Sequence, residues 1–289
     1  MPPEPPRIDN APYYALPHGG LTVEGWSRAG VQTYWRVPEL RVGFDFGAAP
    51  WDFLATPTWF VSHAHLDHLV ALPTFLARRA TMKLLPPTVY VPGEVVDGVG
   101  ALLAAWRALD RGPQDCTLIG MAPGDAVDLS ATHFATAFAT HHPVPSRGYV
   151  VWERRHKLKE EFVNLPGDKL KELRESGVSL TTDVPVPLVC YTGDTGPAGL
   201  DADPAVYKAK ILITELSFAR PEQSRETIHR FGHLHLEDFV ERAERFENEV
   251  IVVGHVTTRD SPEDVRKLAD ERMPPSLRAR LKIWGSSDV

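Results

Sequence analysis

Residues 63–68 read H-A-H-L-D-H, three histidines and an aspartate in six positions, directly after the run W-F-V-S. A packed core has no use for such a cluster, because buried imidazole and carboxylate groups are costly unless paired. A solvated surface has no need to gather them either. A divalent-metal centre does. In an extended segment alternate side chains project to one side, so His63 and His65 can reach the same ion. Asp67 and His68 fall where the chain turns into a helix and can serve a second ion beside the first. Four ligands on one loop cannot complete two sites, so the fold must return distant parts of the chain to this loop.

Three later segments offer such returns, each a polar group closing an apolar strand. H-H-P-V-P-S-R-G-Y (141–149) supplies His141 or His142, Y-T-G-D-T (191–195) supplies Asp194, and V-V-G-H (252–255) supplies His255. Strand ends are where layered α/β folds build their sites. The remaining pattern agrees. Strands are expected at 41–47, 58–62, 88–92, 131–138, 148–152, 187–191, 209–215 and 250–255, with another near 281–284. Helices are expected from 68, 94 and 236, over 261–271, and in the charge-rich stretch from Arg154 to about Ser176. This alternation predicts an α/β class with two sheets faced by helices in one domain, 15–289, after a proline-rich tail at 1–14. No sequence repeat is seen.

Composition narrows the function. The 289 residues carry a net charge of −7, whereas a dedicated nucleic-acid binder usually shows a basic surplus. Any RNA-binding surface must therefore be local or lean on bound metals. No apolar run approaches the roughly 20 residues of a membrane span, and M-P-P-E-P-P-R lacks the apolar segment of a secretory signal. Cys116 and Cys190 stand far apart in apolar stretches, without metal or redox spacing. Both read as buried, reduced thiols, which favours a cytoplasmic protein.

The motifs together resemble one family. E-L-R-V-G-F-D-F-G, the H-A-H-L-D-H loop, H-P-V-P-S-R-G-Y-V-V, H-K-L-K-E-E-F, Y-T-G-D-T, T-E-L-S-F and F-G-H-L-H-L-E-D are similar to ribonuclease Z. That family is the tRNA 3′-processing endonuclease of the metallo-β-lactamase superfamily, and the likeness is to its short form. The resemblance implies an αββα sandwich of two mixed sheets with helices on the outer faces. It implies two divalent ions, zinc before manganese or iron. One would be held by His63, His65 and His142, the other by Asp67, His68 and His255, with Asp194 bridging. His142 is preferred to His141 because the family ligand lies two residues before the valine, here Val144. Asp67, Glu215 and His233 match catalytic positions, and His235 reads as a structural neighbour.

The implied substrate is precursor tRNA and the implied assembly a homodimer. The family's long Gly/Pro-rich arm is absent, and a helical insert near 154–183 takes its place as the candidate substrate arm. Between Glu153 and Glu175 this stretch holds seven Lys/Arg against six Asp/Glu, a net of +1, which is a mixed surface rather than a basic groove. The alternative is a phosphodiesterase or related ester hydrolase acting on a small molecule with the same metals.

Overall fold

The computed structural model describes residues 11–289. Its first sheet holds β1 (Tyr14–His18), β2 (Leu21–Arg28), β3 (Gln32–Val37), β4 (Val42–Phe44), β5 (Thr58–Phe60), β6 (Thr88–Pro92) and β7 (Thr117–Met121) in sequence order. The second holds β8 (Ala126–Asp128), β9 (His133–Ala139), β10 (Arg147–Leu158), β11 (Thr181–Tyr191), β12 (Ile211–Glu215), β13 (Val250–Gly254) and β14 (Leu281–Ile283), again in sequence order. The two sheets and their covering helices match the expected sandwich. In each sheet the first three pairings are antiparallel and the last three parallel. The fold is therefore a topological duplication that the sequence, without repeats, does not disclose.

Side-chain patterns explain the layers. L-T-V-E-G-W-S-R in β2 alternates buried and half-buried positions, as a strand with one covered face does. I-L-I-T-E in β12 and V-I-V-V-G in β13 are buried throughout, because parallel strands here are covered on both faces. Three apolar clusters fill the sandwich. One lies between the first sheet and its helices, with Trp59 stacked on Phe46 at 4.4 Å and edge-on to Phe75 at 5.0 Å. A second fills the space between the sheets, and a third joins the second sheet to its own helices. Each fully buried large side chain contributes roughly 1.5–3 kcal/mol.

Helix ends follow local rules. Leu72–Thr81 begins with Pro73 in its first turn, where a missing N–H costs nothing. Pro262–Arg272 is capped by the Ser261 side chain, which accepts from the Asp264 amide.

Four points differ from the sequence reading. Of the expected tail, residues 1–10 lie outside the described residues, while Tyr14 already opens β1 and stacks on Trp26 at 5.6 Å. The first three strands, which the sequence reading passed over, form two hairpins. The stretch from Arg154 is not helical at its start. β10 runs on to Leu158 and pairs with β11 as far as Thr181, so a two-stranded ribbon projects from the sheet, and helical turns appear only at its end, as a 3-10 turn at Glu160–Phe162 and a helix over Gly167–Glu175. The partner strand explains the difference: Arg154 stands opposite Pro185 and Leu158 opposite Thr181, and the prolines of V-P-V-P are tolerated along the ribbon's free edge. The helix expected over 236–246 is shorter as well, Leu236–Val240 followed by a 3-10 turn.

Candidate metal centre

The loops that follow β4, β5, β9, β11, β12 and β13 meet at one edge of the sandwich, and each brings one part of the centre. Beneath it lies Asp45, fully buried at φ 59°. Its carboxylate accepts from the Ser62 amide at 2.6 Å, Ser62 Oγ at 2.7 Å and the Tyr191 hydroxyl, and meets His68 Nδ1 at 2.7 Å. This pins the H-A-H-L-D-H loop to the first sheet and leaves His68 Nε2 facing the centre. Gly193, at φ 60°, lets the Y-T-G-D turn approach, since a Cβ there would stand 2.3 Å from Ser62 Cβ. Only glycine fits that contact.

Two groups of ligand atoms result. His63 Nε2 lies 3.0 Å from His65 Nδ1, and His142 Nε2 lies 3.3 Å from the same atom. His142 Nδ1 meets the Gly232 carbonyl at 3.1 Å, which turns its other nitrogen inward. In the second group His68 Nε2 and His255 Nε2 are 3.4 Å apart and stand 3.6 and 3.5 Å from Asp67 Oδ2. Asp194 Oδ2 lies 3.8 Å from His63 Nε2, 3.5 Å from His68 Nε2 and 3.2 Å from His255 Nε2, so it reaches both groups. All seven residues that the resemblance marked as ligands are thus brought together.

Their electrostatics fit divalent cations. Burial, helped by the nearby His68, pushes His63 well below the ordinary histidine range, and burial lowers His142 too. Burial works against the Asp194 charge, but His255 and His68 hold the carboxylate well below its usual range. Asp67 is opposed by burial in the same way, yet its hydrogen bond to His255 and the charge of His68 bring it to about 2. Neutral imidazole and ionised carboxylate are the states that bind metal. His68 goes the other way. Burial disfavours its charge, and the carboxylates of Asp194 and Asp45 outweigh that, so a metal entering there would displace a proton.

The β-lactamase superfamily domain profile matches residues 58–256, from β5 to just past His255. A tRNase Z of Arabidopsis thaliana is 34% identical over 264 residues, which is 91% of this chain and 94% of that protein. This chain belongs to the ribonuclease Z family. Two solved structures share its fold. The short-form human tRNase Z superposes with a TM-score of 0.52 at 16% identity, covering 88% of this chain and 92% of that one. A metallo-β-lactamase-fold protein of Bacillus subtilis gives 0.57 at 14% identity, covering 86% and 90%.

Within this ribonuclease Z frame the remaining residues fall beside the ligands. His233 Nδ1 lies 3.0 Å from Glu215 Oε1, which also accepts from the Thr195 amide at 2.8 Å. Burial opposes the His233 charge, but Glu215 more than compensates and raises the imidazole to about 9. The other Glu215 oxygen accepts from the Leu234 amide at 3.1 Å and from Ser217 Oγ. Ser217 has one hydroxyl proton and gives it to Glu215, so at 2.9 Å it accepts from His255 Nδ1, which fixes that ring's tautomer with Nε2 toward the centre.

The sequence reading missed Ser217, Asp45, Tyr191 and the Gly30 amide, which donates to Asp67 Oδ2 at 2.9 Å. His141 stays outside the ligand groups; its backbone holds Thr195 Oγ1 and the Gly196 amide. His235 caps the Leu236–Val240 helix, its ring accepting from the Glu237 amide. No helix among the described residues is long and apolar enough to cross a membrane.

Proposed function

We propose that this chain is a binuclear, metal-dependent endoribonuclease that removes 3′ trailers from precursor tRNA. The observation that carries the reading is the charged His233–Glu215 pair standing beside a complete ligand set, in a chain whose Arabidopsis relative is named a tRNase Z. In this proposal His63, His65 and His142 would hold one zinc ion, and Asp67, His68 and His255 would hold the other. Asp194 Oδ2, within 3.8 Å of atoms in both groups, would serve either ion. Ions bound there supply Lewis acidity and neutralise charge on the phosphodiester.

The chain's own groups do the rest. Asp67, fixed by the Gly30 amide, orients the attacking water and accepts its proton. His233 keeps Nδ1 on Glu215 and donates from Nε2 to the departing oxygen as the P–O bond breaks, help worth about 10²–10⁴-fold. Precursor tRNA is the partner, and the working assembly is a homodimer. A cytoplasmic setting accords with the free cysteines 116 and 190.

The net charge of −7 and the mixed-charge ribbon favour a second reading, a small-molecule phosphodiesterase. One assay separates the two: metal-loaded protein with a trailer-bearing precursor tRNA, and in parallel with bis-p-nitrophenyl phosphate. Cleavage of the RNA at the trailer boundary, abolished in Asp67→Ala, is expected. Turnover of the small diester with the RNA left intact would move the chain to the second reading.

A further inference from the structure

A cleft of about 780 Å³ opens beside the centre, with His65, His142 and His233 in its lining. Its lining is unlike the rest of this acidic chain. It contains no Asp or Glu, while the Arg259 guanidinium and the His233 ring both line it. Phe218, Ile228 and Phe231 add aromatic and apolar surface to the same lining. A cavity that joins positive charge to aromatic surface and excludes carboxylates suits a ligand with a phosphate and a flat ring.

Phe231 is the decisive residue. At 54% it is the most exposed aromatic among the described residues. It is nonetheless firmly placed. Its amide donates to the Thr227 and Ile228 carbonyls, each at 3.2 Å, and the Gly232 amide donates to the His229 carbonyl at 2.9 Å. Gly232 lies at φ 67°, where a Cβ would come within 2.7 Å of the His141 carbonyl oxygen and His142 Cα. One turn therefore carries an outward phenyl ring, the carbonyl that orients His142, and His233. The Arg230 guanidinium lies 5.3 Å from the Phe231 ring centre, and Phe218 meets the His233 ring edge-on at 6.1 Å.

We propose that this cleft is a nucleotide subsite, in which the base next to the scissile phosphate stacks on Phe231 against the Phe218 side of the cavity. The proposal rests on the phosphodiesterase reading of the centre and adds what the substrate must carry: an unstacked base. Base–aromatic stacking of this kind is sequence-tolerant and is worth roughly tenfold in affinity.

Two measurements test it. Metal-loaded protein is given thymidine 5′-(p-nitrophenyl phosphate) and methyl p-nitrophenyl phosphate, and the preference for the nucleoside ester is compared in wild type, Phe231→Ala and Phe231→Trp. Calorimetry then compares the affinity for thymidine 5′-monophosphate with that for inorganic phosphate in the same proteins. In Phe231→Ala both ratios should fall about 10-fold, and Phe231→Trp should restore them. Ratios unchanged in Phe231→Ala overturn the subsite even if both esters are hydrolysed. If neither ester is hydrolysed but the nucleotide-to-phosphate ratio still falls, the subsite stands and the catalytic reading fails.

Discussion

Replacing Asp45 by asparagine tests how far the centre depends on one buried carboxylate. The substitution keeps the size of the side chain, and asparagine tolerates the left-handed backbone found at φ 59°. What changes is charge and acceptor count. The carboxylate serves the Ser62 amide and hydroxyl, His68 and Tyr191. An amide offers one oxygen, so at least one of these donors must face an NH2 group. A buried donor without an acceptor costs about 1–3 kcal/mol, and hydrogen bonds to a charged group are worth about 1.5–3 kcal/mol. A net loss of roughly 3 kcal/mol follows. At about 2 °C per kcal/mol for a domain of this size, the metal-free chain should melt about 6 °C lower.

The same change frees the His68 ring, whose Nδ1 loses its charged partner, and metal affinity should fall about 10–100-fold. Thermal unfolding of the metal-free protein and a chelator-competition titration read the two effects separately. An unchanged melting temperature together with an unchanged metal midpoint would refute the reasoning. A lower melting temperature with full affinity would leave Asp45 a purely structural residue.

Glu215→Gln should lower the His233 titration midpoint from about 9, followed by histidine NMR in the metal-free protein. Because the folded pKa is raised, the pair's contribution to stability is complete below about 6.5 and is lost as pH rises through about 9. Bound cations repel an imidazolium, so the basic limb of the loaded enzyme lies lower, but it should still move to lower pH in the variant. A midpoint that does not move would show that Glu215 is not its cause. Ser217→Ala removes the group fixing His255 and should weaken metal binding about 10–100-fold, with Ser217→Thr restoring it. Equal zinc retention by all three proteins in a chelator series would assign Ser217 to packing alone.

How much of this was legible in the sequence depended on distance along the chain. His63, His65, Asp67 and His68 are contiguous, and Asp194 and His255 close plainly apolar strands, so all six could be read directly. Spacing alone left His141 and His142 equivalent; the structure separates them through the Gly232 carbonyl, 90 residues from His142. Asp45 and Ser217 stand inside stretches that carried the resemblance, but their roles rest on contacts that no spacing discloses, to Tyr191 146 positions away and to His255 38 positions away. The ribbon was misread because its charged residues fit an exposed helix face as well as an exposed strand edge. Only its continuing register with V-P-V-P decides between them.

The order of the strands bears on how the protein is made. The cluster under the first sheet's helices draws its buried residues only from 34–103, whereas the cluster between the sheets needs residues from 21 to 284. A nascent chain can therefore close its first outer layer while the inner face of that sheet still waits for a partner. During translation this half-built sandwich carries four of the seven proposed ligand residues and an uncovered apolar surface. The centre is completed only when His255 has left the ribosome. Assembly of the nuclease site is thus tied to near-completion of the chain, and the interval before it is the protein's window of exposure to aggregation.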